Sequence, residues 1–335
     1  MECLLLKAVL LYLVLFIVIK IICQEERKMI DDYISRALKE EMNLETEKCS
    51  PCGKGASGNV YIAQCKDGFK AAVKVSEYPK LMEEEYDSSK FLLEKSGIKI
   101  PKPYFFKKYN DGEKELGIFA MEYIEGVSAD NIWFKLKGKK KRENYVSSIL
   151  ENLNRLQSVK NGKFGGYTDA VYESWDDYYK PFAEKILKFA ETKGEEKALS
   201  KEVLDVMETA FLEYEKIFDE KPNKAVLTHG DFWTPNIIVD KNTLTMKGLI
   251  DPFMVKWADG DYELFALKAG AGGAMGLYDE YKKRYGVSEK ADVKTEFYAL
   301  FSEMFWYSRL GNVSHHFLKM KANCLKKEMK KFGIG

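Results

Sequence analysis

Between Leu227 and Pro252 the sequence reads LTHGDFWTPNIIVDKNTLTMKGLIDP, and Asp231, Asn236 and Asp251 within it are residue types that phosphoryl transfer requires. That reaction needs a carboxylate to steer an attacking hydroxyl, and oxygen ligands for the Mg²⁺ ions that neutralise phosphate charge. The runs IIVD and TMKGLI read as two short strands joined by the turn residues Asp240 to Thr243. Such a hairpin would bring Asp251 back beside Asn236. An ordinary hairpin with a capping aspartate explains one of the three polar residues but not the linked set.

A second stretch, CGKGASGNVYIAQCKDGFKAAVKV, places Gly53, Gly55 and Gly58 in G-x-G-x-x-G order with Val60 two residues beyond. Glycines at that spacing let backbone N–H groups approach phosphates, in a kinase glycine-rich loop or in a dinucleotide-binding turn. Asp67-Gly68 decides between them, because it predicts a tight hairpin rather than a helix after the glycines. Ala72-Val73-Lys74 then matches the V-A-I-K strand, whose lysine pairs with the α and β phosphates. Asp231 and Asn236 likewise stand at the interval of the loop H-R-D-L-x-x-x-N, with Gly230 in place of its arginine.

The elements that must position these residues follow from periodicity. Residues 29–48 carry apolar side chains at near-helical spacing and predict an amphipathic helix packed on the first sheet. Tyr78 to Lys95 predicts a helix ending before Gly97, and its Glu83, Glu84 and Glu85 include the expected partner of Lys74. Glu85 is the choice, with a neighbouring glutamate as the alternative. GIFAMEYIEG, Gly117 to Gly126, alternates into a buried strand and leaves at Gly126, which looks like a kinase hinge, and that likeness would place adenine against backbone near Glu122 and Tyr123. Beyond it, Ser128 predicts a cap for a helix over Ala129 to Leu136. The basic run from Lys137 to Arg142 reads as a solvated loop, with anionic lipid as a second reading. Val146, Ile149, Leu150, Leu153 and Leu156 predict the buried stripe of a long helix. The aromatics from Phe164 to Phe182, interleaved with acids, read equally as substrate cleft or as packing.

HGDxxxxN followed by IDP resembles the aminoglycoside phosphotransferase superfamily of kinase-like enzymes, with the fructosamine kinases as the nearest-looking branch. Trp233 in HGDFW, GLIDP at Gly248 to Pro252, GDYELFA and GGAMGLYDEY are similar to that branch, whereas the intervening FMVKWAD departs from its pattern. The resemblance implies an α+β, two-lobed, protein-kinase-like fold: a small antiparallel-sheet lobe over 29–126 and a mostly helical lobe over 127–335. It implies ATP and Mg²⁺ as cofactors and a hydroxyl-bearing small molecule, such as an amino sugar, glycated amine or aminoglycoside-like compound, as acceptor. Asp231 would be the catalytic base with His229 bracing it. Asn236 and Asp251 would be the metal ligands, and Gly53, Gly55, Gly58, Lys74 and Glu85 would serve the phosphates. Two rivals stand beside this reading, a protein kinase and a nucleotide-binding scaffold without catalysis. Against the first, no Ala-Pro-Glu segment follows Asp251 and Pro252 stands in the D-F-G region.

With 53 basic and 52 acidic residues the net charge is +1, which gives no global field to attract nucleic acid. Six cysteines in 335 residues are too sparse for a disulfide framework, and Cys49 and Cys52 form only half a zinc site. His315 and His316 have no ligand at metal spacing and read as packing or solvent-facing residues. Residues 1–28 stand apart. Cys3 to Cys23 is apolar except for Lys7 and Lys20, and as a helix would span about 30 Å, one hydrocarbon core. The segment predicts a membrane anchor with the catalytic part in the cytoplasm, against the alternative that translation starts at Met29.

Overall fold

The computed structural model describes Glu25 and residues 27–55, 57–110 and 115–335. The predicted anchor over 3–23 lies outside the described residues, among which no helix is long and apolar enough to cross a membrane. The chain forms two compact units, one of residues up to Asp87 with Pro101–Tyr123, the other of Ser88–Ile100 with Ile124–Gly335. The chain passes from the first to the second for good after Tyr123.

The first unit begins with helix α1, residues 27–42, followed by β1 (Thr46–Gly55), β2 (Gly58–Cys65) and β3 (Lys70–Ser76). Helix α2 (Pro79–Lys95) starts here and ends in the second unit, and β4 (Pro103–Asn110) and β5 (Glu115–Glu122) complete an antiparallel sheet ordered β1-β2-β3-β5-β4. Pro51, which has no N–H to donate, is tolerated because β1 is an edge strand. Side chains alternate faces along a strand, so Tyr61, Ala63, Val73, Val75, Ile118 and Ala120 share one face and bury Ile34, Ala37 and Leu38 of α1. Phe119 and Met121 take the opposite face and bury Met82 of α2. The same alternation turns Lys74 toward α2, because Lys74 pairs with Phe119 across the ladder. At Asp67-Gly68 the expected tight hairpin forms, with Gly68 at φ 88° and its N–H donating to the Cys65 carbonyl at 2.9 Å.

The second unit holds β6 (Val127–Ser128), α3 (Lys139–Ser158), β7 (Lys160–Asn161), β8 (Gly165–Gly166), α4 (Trp175–Glu195), α5 (Lys201–Leu212) and α6 (Tyr214–Ile217). After these come β9 (Ala225–Thr228), β10 (Ile237–Val239), β11 (Met246–Leu249), β12 (Lys256–Ala258), α7 (Gly270–Met275), α8 (Leu277–Tyr285), α9 (Ala291–Leu310) and α10 (His315–Lys331). Two small sheets, β11-β10-β6 and β7-β9-β12-β8, lie among the helices. The α3 stripe is buried as its spacing requires, each fully buried aliphatic side chain being worth about 1.5–3 kcal/mol. Two local expectations differ. Ala129 to Leu136 forms two short 3-10 turns rather than one helix, and Lys139 to Arg142 is the exposed first turn of α3 rather than a loop.

The aromatic run after Phe164 mostly packs. Trp175 and Tyr179 stack at 5.0 Å in the core, and Trp175 Nε1 donates to the Tyr298 hydroxyl at 2.8 Å. Tyr298 in turn donates to Asp259 at 2.9 Å, and Lys294 lies between Asp259 and Asp261 at 3.4 and 3.3 Å. This buried network anchors the segment that leads to Glu263. Burial raises the Asp259 carboxyl above its ordinary range, with the neighbouring Asp261 adding to the rise and Lys294 opposing it.

Candidate active site

In the first unit Lys74 Nζ meets Glu85 Oε2 at 2.6 Å, with 3% and 8% of the two residues exposed. Helix phase selects the partner. Glu85 lies one turn after Met82, whose side chain is buried against the sheet, while Glu83, about 200° of rotation from Glu85, instead pairs with Lys108 at 2.6 Å. Of the three glycines, only Gly58 is required by packing, since a Cβ there would come within 2.6 Å of the Val75 carbonyl oxygen. Gly53 and Gly55 are exposed backbone on β1 that an added side chain would cover. The Glu122 N–H donates to the Lys102 carbonyl at 2.9 Å, so that amide is already used within the unit; Tyr123 follows at the end of β5.

In the second unit the buried strand β9 runs directly into His229. Gly230 has φ 82°, and any Cβ there would overlap the Phe253 carbonyl, so the position admits only glycine. Both backbone N–H groups at this turn donate to a carboxyl group that the sequence reading did not assign. His229 N–H reaches Glu263 Oε2 at 3.1 Å and Gly230 N–H reaches Oε1 at 2.7 Å. Burial pushes the Glu263 carboxyl up to about 8, against the two backbone N–H groups that pull it down. The His229 ring is fully buried with neither nitrogen hydrogen-bonded, and burial takes its pKa down to about 3, the Asp251 charge opposing. It is therefore neutral near pH 7.

A 3-10 turn, Thr234–Asn236, closes the interval between Asp231 and Asn236, its Asn236 N–H bonding the Trp233 carbonyl at 2.9 Å. Asn236 Nδ2 then donates to Asp231 Oδ2 at 2.6 Å and to the Asp231 carbonyl at 3.0 Å. The hairpin β10–β11 forms as expected, with Asp240 Oδ1 accepting from the N–H groups of Asn242 and Thr243 in its turn. Past it, the Ile250 N–H bonds the Asn236 carbonyl at 3.0 Å, and Asp251 follows in the left-handed region at φ 57°. The donor chemistry fits a divalent cation. Because the Asn236 amide nitrogen is committed to Asp231, its Oδ1 would be the atom left to ligate a cation, with the Asp251 carboxylate one residue past the Ile250 bond. Mg²⁺ takes few protein ligands and completes its octahedron with water and phosphate oxygens.

Asp231 also lines a pocket whose walls include Trp233, Phe253, Trp306, Glu303 and Lys321. Phe253 and Trp306 stack at 3.9 Å. Of the aromatics between Phe164 and Phe182, only Phe182 lines it. Sequence reasoning missed Glu263, Glu303, Trp306 and Lys321, yet two of them left a signal. Glu263 is the sole charge in the buried run Tyr262 to Leu267, and Lys321 interrupts the apolar stripe Leu318, Ala322, Leu325, Met329 of α10. His315 and His316 open α10 and are exposed, and along β1 Cys49 is buried while Cys52 is exposed.

The family model for the phosphotransferase enzyme family, APH, matches residues 48–297. The chain belongs to that family. No curated protein matches the sequence. Among solved structures, this APH-family chain is similar to a candidate fructosamine-3-kinase from Thermobifida fusca, with 16% identity, TM-score 0.62 and coverage of 88% of this chain and 98% of that one. A thermostable mutant of the aminoglycoside phosphotransferase APH(4)-Ia shares 12% identity at TM-score 0.65, covering 90% of this chain and 99% of the other. ADP-bound APH(2'')-Ib shares 17% identity at TM-score 0.60, covering 91% and 100%. At these identities the likeness is one of fold: the two-lobed kinase-like architecture, with an antiparallel sheet followed by a mostly helical remainder.

Proposed function

We propose that this APH-family chain transfers the γ-phosphoryl group of ATP to a hydroxyl of a small polar acceptor in the amino-sugar, glycated-amine or aminoglycoside-like range. Family membership supports the reaction class, and the ADP-bound and fructosamine-kinase relatives support the donor and the acceptor range. The observation that carries the reading is the Asp231 carboxylate, held by Asn236 at 2.6 Å at the wall of an aromatic pocket. The acceptor oxygen forms the new bond to the γ phosphorus while the bond from that phosphorus to the β,γ-bridging oxygen breaks. The hydroxyl proton passes to Asp231, and ADP leaves.

Each residue then has one task. Lys74, fixed by Glu85, binds the α and β phosphates; Gly53, Gly55 and Gly58 offer backbone N–H groups; and the chain at Glu122 and Tyr123 receives adenine. Asn236 and Asp251 hold Mg²⁺, which when bound neutralises phosphate charge. His229 and Gly230, bonded to Glu263, keep Asp231 in place, so catalysis is mostly positioning. ATP as the donor puts the catalytic part in the cytoplasm.

Purified protein with MgATP and a panel of amino sugars, glycated amines and amino alcohols tests the reading by ADP release over a no-acceptor blank. Asp231→Asn is expected to abolish transfer while nucleotide binding stays within about twofold, because the base acts on the acceptor. Turnover in Asp231→Asn near the wild-type rate refutes the assignment of the base.

A further inference from the structure

Lys321 is buried to 7% exposure on α10, and its side chain lines the pocket that Asp231 shares. Three aromatic rings surround its ammonium, Phe317 at 4.8 Å, Trp233 at 5.6 Å and Phe265 at 5.9 Å. Among the described residues it has no ion-pair or hydrogen-bond partner. Rings alone offset only part of the desolvation of a buried lysine, since a cation–π contact is weaker than the hydration an ion loses on burial. The mismatch shows in its protonation: burial holds the Lys321 pKa below its ordinary value, with Glu303 the first opposing charge. Glu303, from α9, lines the same pocket and is likewise pushed up by burial, yet the two side chains form no ion pair. Two opposite charges thus face one cavity without closing on each other, beside the stacked Phe253 and Trp306.

We infer that Lys321 and Glu303 bind the two ends of a zwitterion, so that the acceptor carries a carboxylate and an amine beside its reacting hydroxyl. The inference rests on this pocket being the acceptor site proposed above. Lys321 receives the carboxylate, Glu303 the ammonium, and the Phe253–Trp306 wall covers the carbon skeleton. Within the acceptor range this selects glycated amino acids. It selects against polycations, because Asp231 and Glu303 are the acids lining the pocket and Lys321 repels a further ammonium.

Glycated glycine and glycated methylamine differ by one carboxylate and test this directly. Calorimetric titration of the full chain with each, alongside ADP release with MgATP, is expected to give at least tenfold tighter binding of the acid. Lys321→Met, which keeps the apolar stem, and Lys321→Gln should each reduce that preference to within threefold, with Tm showing that the variants fold. Glu303→Gln should weaken both compounds alike. Equal binding of the two by the wild-type protein, or binding of neither, overturns the inference. So does a preference that survives both Lys321 variants. Preferential binding of the acid without ADP release supports the zwitterion site and refutes phosphotransfer at it. Equal kcat/KM for both compounds supports phosphotransfer and refutes the zwitterion site.

Discussion

Replacing Glu263 with glutamine exchanges one of two accepting oxygens for an NH₂ group while keeping the side-chain shape. The Glu263 carboxyl accepts from His229 N–H at 3.1 Å and from Gly230 N–H at 2.7 Å, and a glutamine can accept only one of these. The remaining N–H faces another donor in a buried site, which together with the lost bond costs about 2–3 kcal/mol where Glu263 is neutral in both folded and unfolded chains. That condition holds below the ordinary carboxyl value of 4.5. Because burial raises the folded value to about 8, the folded protein holds a proton there that the unfolded chain has released. The Glu263 contribution is therefore full below 4.5 and is lost as pH rises toward 8, at up to about 1.4 kcal/mol per pH unit. Glu263→Gln should be the less stable protein at pH 5, cross the wild type near neutrality, and be the more stable protein at pH 8. Its kcat should nevertheless fall about 10–100-fold across that range, because a shift of the turn carries Asp231 with it and about 1 Å of misplacement costs that much. Urea unfolding at pH 5, 6.5 and 8, paired with ADP-release kinetics, measures both. A stability difference that does not vary with pH, or an undiminished kcat, would show that Gly230 and its contact with Phe253 hold the turn without the carboxyl group.

Glu85→Gln leaves Lys74 buried beside a neutral partner and should lower stability by about 2–4 kcal/mol and raise KM for ATP at least tenfold, with kcat less affected; nucleotide titration and Tm check it. Gly230→Ala, forced into φ 82° and onto the Phe253 carbonyl, should lose at least about 3 kcal/mol and most activity, as read by thermal denaturation and ADP release. Asn236→Asp sets a second carboxylate 2.6 Å from Asp231 and should move the acid limb of the kcat/KM profile up by about one unit or more; an unmoved limb refutes the coupling of the two positions.

The parts of the site legible in the sequence are those whose partners lie close along the chain. Asp231 and Asn236 are joined by one turn, Asp251 returns on a tight hairpin, and Lys74 finds Glu85 because strand alternation and helix phase can both be counted. Helix phase is a finer measure than motif interval, and it separates Glu85 from Glu83 through Met82 and Lys108. Glu263, Glu303, Trp306 and Lys321 were beyond such counting. They reach the site from one 3-10 segment and two helices whose arrival depends on the packed network of Trp175, Tyr298, Asp259 and Lys294. The turns after Ser128 differ from the expected helix for the same reason: a run as short as Ala129 to Leu136 takes its form from packing rather than from its own periodicity.

One side of the pocket beside Asp231 belongs to α9 and α10, whereas Asp231, Asn236 and Asp251 lie on the strands and turns that precede both helices. That separation has an evolutionary consequence. Ser302, Glu303, Trp306 and Lys321 take no part in the Asp231–Asn236 bond or the Glu263 brace, so a duplicated gene can explore new acceptors there while its chemistry is inherited. Innovation in this chain can concentrate on the helical side of the pocket, apart from the turn that carries Asp231.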